Sequence, residues 1–140
     1  SPIDIPLGTM IETPRAALIA GDLAPLVDFM SFGTNDLTQM TYGFSRDDVE
    51  ASVIKQYIEM DILQESPFAQ LDALGVGKLV QEAINSSRAV NPEIKIGICG
   101  EHGGDPSSIR FLVNSGVNYV SCSPPRIPIA RLVSAQESLK

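Results

Sequence analysis

Cysteine and histidine are scarce in this chain of 140 residues: two cysteines, Cys99 and Cys122, and one histidine, His102. Two cysteines cannot build a disulfide framework, so the composition suits a reducing, intracellular compartment. With so few soft donors, a structural zinc site is not expected. Positive charge is short as well. Ten Lys and Arg against seventeen Asp and Glu leave a formal charge of −7, which argues against nucleic acid or an anionic membrane as partner. Any phosphate chemistry must then draw on local cations, a metal or backbone amides. No apolar run approaches the ~20 residues of a membrane span, and no signal-peptide pattern opens the chain.

What is present suits a folded domain. A chain 44% apolar and 19% charged is too apolar for disorder, and its length fits one domain better than two. The opening, Ser1 to Leu7 without an initiator Met, reads as the middle of something longer, so a fragment is expected.

One grammar recurs four times: a short apolar run, a polar tip, then a helix. Thr9-Met10-Ile11 ends at Glu12, and Thr13-Pro14 supplies an N-cap followed by proline at the first helical position. Ala16 to Ala20 then form a compact helix that Gly21 or Pro25 ends. Phe29 to Phe32 ends in Gly33-Thr34-Asn35-Asp36. From Thr41 to Leu74 the pattern is irregular, with one short helix expected around Val53 to Met60. Val76, Leu79, Val80, Ala83 and Ile84 then mark one face of a helix that Asn91-Pro92 ends. Lys95 to Cys99 is the third strand, tipped by Gly100-Glu101-His102-Gly103-Gly104. Asp105-Pro106 starts another helix, which Gly116 closes. Tyr119 to Cys122 is the fourth strand, with Ser123-Pro124 at its tip and a last helix from about Pro128 to Glu137. Strands separated by helices imply an α/β fold with parallel pairing. Such sheets bind ligands at the carboxyl ends of the strands, where the polar tips fall. Open sheets and barrels both give this pattern.

Glu12 and Asp36 are carboxylates on neighbouring tips, a pair suited to Mg²⁺; each could equally be a solvated loop acid. Cys99 ends an apolar strand before a glycine, so its thiol is either a proton donor or nucleophile at the sheet mouth or an inert core residue. Cys122 reads as packing. Gly33-Thr34-Asn35 and Gly103-Gly104 could present amides to an anion, or serve turn geometry alone. Gly75-Val76-Gly77-Lys78 is no P-loop, because Leu79 stands where Ser or Thr is required. His102 could exchange protons or accept a phosphoryl group, but a lone loop histidine is more often a structural hydrogen-bonding residue. Arg126 reads as stabilising the turn before the last helix.

Asp28 to Gln39, with Arg46, resembles the signature of the phosphoenolpyruvate-utilising enzymes. Gly8 to Glu12, Phe44 to Asp48, Gly97 to Gly104 and Tyr119 to Pro124 are similar to the pyruvate phosphate dikinase branch of that family. The Glu-His-Gly-Gly tip sets that branch apart from the phosphoenolpyruvate synthases and the first enzyme of the sugar phosphotransferase system. The likeness runs from Gly8 to about Gln136.

The resemblance implies strands five to eight of a (β/α)₈ barrel, the C-terminal half of a domain that binds pyruvate or phosphoenolpyruvate with Mg²⁺. It implies Glu12 and Asp36 as metal ligands. It gives Gly33, Thr34 and Asn35 to phosphoryl or substrate oxygens and Cys99 to proton transfer at the methylene carbon, with Ser31 and Tyr119 lining the pocket. Strands one to four, with the arginines they carry in the family, and the phosphohistidine and ATP-grasp domains lie outside this chain. The chain alone is therefore expected to be inactive and to self-associate, in the cytoplasm or an organelle such as a plastid or glycosome. Thr13, Pro125 and residues 49–64 depart from the family pattern. The competing expectations are another Mg²⁺-dependent enzyme of pyruvate enolates, and a non-catalytic half-barrel whose main property is association.

Overall fold

The four apolar runs form one parallel sheet in the computed structural model, which describes residues 3–140. The strands are β1 (Gly8–Ile11), β2 (Phe29–Gly33), β3 (Lys95–Cys99) and β4 (Tyr119–Val120). Between β1 and β2 run α1 (Pro14–Leu18) and α2 (Ala20–Leu23). Between β2 and β3 run α3 (Thr34–Tyr42), α4 (Arg46–Val49), α5 (Val53–Glu59) and α6 (Val76–Val90). The helix α7 (Pro106–Ser115) joins β3 to β4, and α8 (Ile127–Ser138) follows β4. Ser1 and Pro2 of the opening heptapeptide lie outside the described residues.

The strands pair in the order of the sequence. A doubly wound sheet reverses its order at a switch point, whereas a barrel wall does not; the order here is that of a barrel wall. Period-two alternation divides the side chains accordingly. Ile11, Met30, Phe32, Ile96 and Ile98 point to one face and are buried with Ala17, Ala20, Val76, Val80, Ala83 and Ile84 from the helices. The opposite face carries Met10, Ser31, Gly97 and Tyr119 at one level, with Gly33 and Cys99 one level nearer the carboxyl end. Among the described residues no helix covers it, and Met10 and Tyr119 are 40% and 42% exposed. Two glycines on this face have a steric reason: the Phe29 ring lies on Gly8 and the Tyr119 ring on Gly97, leaving no room for a Cβ at either.

The helix starts follow the sequence signals. Thr13 Oγ1 accepts from Ala16 N at 3.1 Å and Asp105 Oδ2 from Ser108 N at 2.7 Å, each beside a first-turn proline. Gly116 ends α7 with φ +89°, a conformation that favours glycine. Three details differ from expectation. The first helix breaks at Ile19 and resumes through Gly21 to Leu23, so of the two expected stops, Gly21 and Pro25, only Pro25 lies near the end, in a 3₁₀ turn at Ala24–Leu26. Gly21 lies inside α2, where a Cβ would come within 3.2 Å of the Ser86 carbonyl of α6. The Thr41–Leu74 region is less irregular than expected, because α3 continues to Tyr42 and α4 precedes α5. Finally, β4 stops at Val120. Ser121 N still donates to Ile98 O at 2.9 Å, and the chain then enters a 3₁₀ turn at Pro124–Arg126.

Candidate active site

Each tip takes its shape from the junction behind it. Thr13 caps α1, so Glu12 is held between strand and helix, half-buried, with its carboxylate over the Gly33 Cα: a Cβ there would lie 2.6 Å from Glu12 Oε2. Gly33 runs straight into α3, which makes Thr34, Asn35 and Asp36 the first helical turn. Their amides have no acceptor within the helix and face the carboxyl end of the sheet. Asp36 Oδ1 accepts from Gln39 Nε2 at 3.0 Å, and Gln39 Oε1 accepts from Arg46 N at 2.7 Å. The Arg46 amide thus fixes which end of Gln39 meets the carboxylate, and Asp36 Oδ2 stays uncommitted.

The tips of β2 and β3 are cross-linked. Asn35 Oδ1 accepts from Glu101 N at 3.2 Å, so the side-chain NH₂ of Asn35 is left to donate elsewhere. Thr34 is buried, its hydroxyl 3.2 Å from Cys99 O and 2.7 Å from His102 Nδ1. Gly100 takes φ +114°, and a Cβ there would lie 2.9 Å from Thr34 Oγ1 and 3.1 Å from Asn35 Oδ1, so this turn requires glycine twice over. Cys99 pairs with Gly33 in register, is half-buried, and points its thiol at Phe32 O at 3.6 Å. A thiol is a weak donor, so this hydrogen bond is a weak one.

Glu12, Gly33, Asn35 and Cys99 come together around these tips, with Asp36 at their rim. Ser31 and Tyr119 share the uncovered face one level below. Tyr119 also borders a cavity of about 500 Å³ at the opposite ends of the strands, with Asp28, Phe29, Glu93 and Lys95. His102 is fully buried, not at the mouth. Burial pushes its pKa below 6.5, an effect the Pro67 carbonyl and the Asp105 and Glu101 carboxylates oppose and Arg46 reinforces. Gly103 and Gly104 serve packing: Gly103 N donates to Gly100 O at 3.1 Å, Gly103 lies under Ser121 O, and Gly104 lies under the Arg126 side chain. Cys122 packs beside Ile109, Ala130 and Val133. Sequence reasoning missed Gln39, although its position three residues after Asp36 puts both on one side of α3.

The two carboxylates suit a hard divalent cation. Among the described residues neither takes part in an ion pair, and no cluster of three or more His, Cys, Asp and Glu is suited to holding a metal. A pair of carboxylates, one with a free oxygen, fits Mg²⁺, which keeps several positions for water and substrate. It does not fit zinc, which takes three or four protein ligands.

A parallel, singly wound sheet with acidic, amide and thiol groups at its carboxyl edge defines a barrel-type α/β domain. Residues 2–139 match the family described as PEP-utilising enzyme, PEP-binding domain, and the chain belongs to that family. It is 58% identical over 134 residues to "Pyruvate, phosphate dikinase, chloroplastic" of Flaveria pringlei, covering 96% of this chain and 14% of that protein. It is 56% identical over 137 residues to "Pyruvate, phosphate dikinase 2" of Oryza sativa subsp. japonica, covering 98% and 15%. Over 133 residues it is 57% identical to "Pyruvate, phosphate dikinase" of Clostridium symbiosum, covering 95% and 15%. The chain thus spans about one seventh of the length of these relatives.

Proposed function

We propose that this chain, residues 1–140, is the C-terminal half of a pyruvate/phosphoenolpyruvate-binding barrel in a pyruvate phosphate dikinase. The parent reaction would convert ATP, phosphate and pyruvate to AMP, diphosphate and phosphoenolpyruvate through a phosphohistidine carrier and an ATP-grasp domain outside this chain. The observation that carries the reading is the cross-linked pair of tips. Asn35 is tied to the β3 tip through Glu101 N, Cys99 pairs with Gly33, and the Glu12 carboxylate lies over Gly33, which supports one shared site.

Each residue has a role that its bonding supports. Asn35 donates to a phosphoryl or enolate oxygen, helped by the first-turn amides of α3. Cys99 gives its proton to C3 as phosphoenolpyruvate becomes pyruvate and takes one back in the reverse direction. The transfer leaves a thiolate as the enolate's negative charge is lost, so the net charge of the pocket does not change. Glu12 and Asp36 would hold Mg²⁺, which supplies the positive charge that offsets a developing enolate. Ser31 and Tyr119 line the pocket floor. An intracellular setting accompanies this proposal, supported by plant relatives described as chloroplastic.

The test uses a hybrid in which this segment replaces its counterpart in the Clostridium symbiosum relative. Mg²⁺-dependent exchange of pyruvate C3 protons into deuterated water is expected in the hybrid and lost in its Cys99→Ala variant. Normal exchange by Cys99→Ala would falsify the assignment of the thiol. A second reading, a half-barrel whose property is association, draws on the uncovered sheet face and the exposed edges of β1 and β4.

A further inference from the structure

His102 is buried completely, yet none of the proposed chemistry uses it. Its ring nitrogens are both engaged: Nε2 lies 2.8 Å from Pro67 O and Nδ1 2.7 Å from Thr34 Oγ1. Proton counting fixes the arrangement. A carbonyl only accepts, so Nε2 must carry a hydrogen. In the neutral ring Nδ1 is then an acceptor, and Thr34 must turn its one hydroxyl hydrogen toward it. That same hydrogen is the only one Thr34 could offer to Cys99 O, 3.2 Å away. The shorter contact takes it. Neutral His102 therefore decides where the Thr34 hydroxyl points, and it does so from a fixed base. The Pro67 turn is anchored by buried Phe68 and by Leu71 N, which donates to Ser108 Oγ at 2.9 Å.

We infer that His102 is a positioning residue, clamping the Pro67 turn to the Thr34 hydroxyl so that the β2 and β3 tips hold Asn35 and Cys99 at one separation. The inference rests on the functional reading above. Thr34 precedes Asn35 and its hydroxyl abuts the Cys99 carbonyl, so both proposed working groups sit one residue or less from the clamp. Loss of the clamp lets one tip drift against the other. Misplacement by about 1 Å is enough to cost on the order of 100-fold in rate.

Two measurements test this. His102 is the only histidine in the 140-residue chain, so long-range ¹H–¹⁵N correlation spectra of its ring are unambiguous. They are expected to show hydrogen on Nε2 and a hydrogen-bonded, bare Nδ1, with Thr34→Val moving the Nδ1 resonance. Hydrogen on Nδ1 at neutral pH, or an Nδ1 resonance indifferent to Thr34→Val, overturns the clamp. In the hybrid enzyme, His102→Gln keeps a donor near Nε2 but loses the Thr34 contact, while His102→Asn keeps a polar group near Nδ1. Each variant opens one end of the clamp, His102→Gln the Thr34 end and His102→Asn the Pro67 end, so both are expected to lower kcat about 10- to 100-fold with KM for pyruvate little changed, and His102→Gln with Thr34→Val to fall no further than the worse single variant. A purely structural role gives additive losses in His102→Gln with Thr34→Val, and that result overturns the proposal. A wild-type hybrid without proton exchange overturns the functional reading and the positioning role with it. An active hybrid indifferent to His102→Gln overturns the positioning role alone.

Discussion

Asp36 carries two oxygens in different circumstances, one held by Gln39 and one without a hydrogen bond among the described residues, and in the proposed Mg²⁺ site this asymmetry would make the carboxylate a directed ligand. Gln39→Leu, which leaves both proposed ligands in place, is expected to weaken Mn²⁺ binding by the hybrid about 10- to 100-fold, the usual effect of losing a supporting hydrogen bond. Titration followed by electron paramagnetic resonance measures this, and Glu12→Gln should cost more because it removes a ligand charge. His102 gives a pH prediction. Its pKa is lowered in the fold, so the unfolded chain binds more protons near pH 6, and stability falls as pH drops below about 6.5. Denaturant titrations from pH 7.5 to 5 should show a steeper loss in wild type than in His102→Gln; equal slopes would contradict it. Glu12, Asp36 and Cys99 were legible as tip residues because short apolar runs end where they stand. The bonds that orient the tips were not legible. Thr34 and His102 are 68 positions apart and Asn35 and Glu101 66, and hydrogen bonds across such separations leave no periodicity in the chain.

Helix boundaries carried the clearest local signals, because caps and first-turn prolines act within four residues. Thr13, Asp105 and Gly116 stand where their chemistry requires, and the apolar stripe of α6 packs on the sheet as its spacing implies. The break at Ile19 and the early end of β4 depend instead on what lies alongside. Gly21 closes against α6, and β4 has a neighbour on one side only. The turn after β3 is just as dependent on its surroundings. Gly103 lies directly under the Ser121 carbonyl, a backbone atom that cannot swing aside. Gly103→Ala is therefore expected to destabilise the chain by about 1–3 kcal/mol, as forced overpacking does, seen as a lower midpoint in urea. Asp105→Ala removes the cap of α7 and is expected to cost about 1 kcal/mol. A midpoint unchanged by Gly103→Ala would mean that the turn relaxes freely.

The sheet is finished on one face only. Among the described residues β1 and β4 are edge strands, Met10, Ile127 and Leu132 are exposed, and such edges tend to find partners. Self-association is therefore expected, and sedimentation showing a stable compact monomer would contradict it. Periodicity left the serial order of the strands open, because it places helices between strands without saying which strand lies beside which; the family resemblance is what implied the barrel order. The aromatic rings on the open face have a consequence for solvent access to the backbone. With Phe29 lying on Gly8 and Tyr119 on Gly97, the rings shelter a pairing ladder that glycine would otherwise leave bare. Amide hydrogens around Gly97 should therefore exchange slowly with deuterium although no helix covers them, and Tyr119→Ala should speed exchange there while leaving Ile84 in α6 unchanged. The open wall of this sheet is weatherproofed by two rings, and its centre is accordingly less exposed to water than its lack of a covering layer suggests.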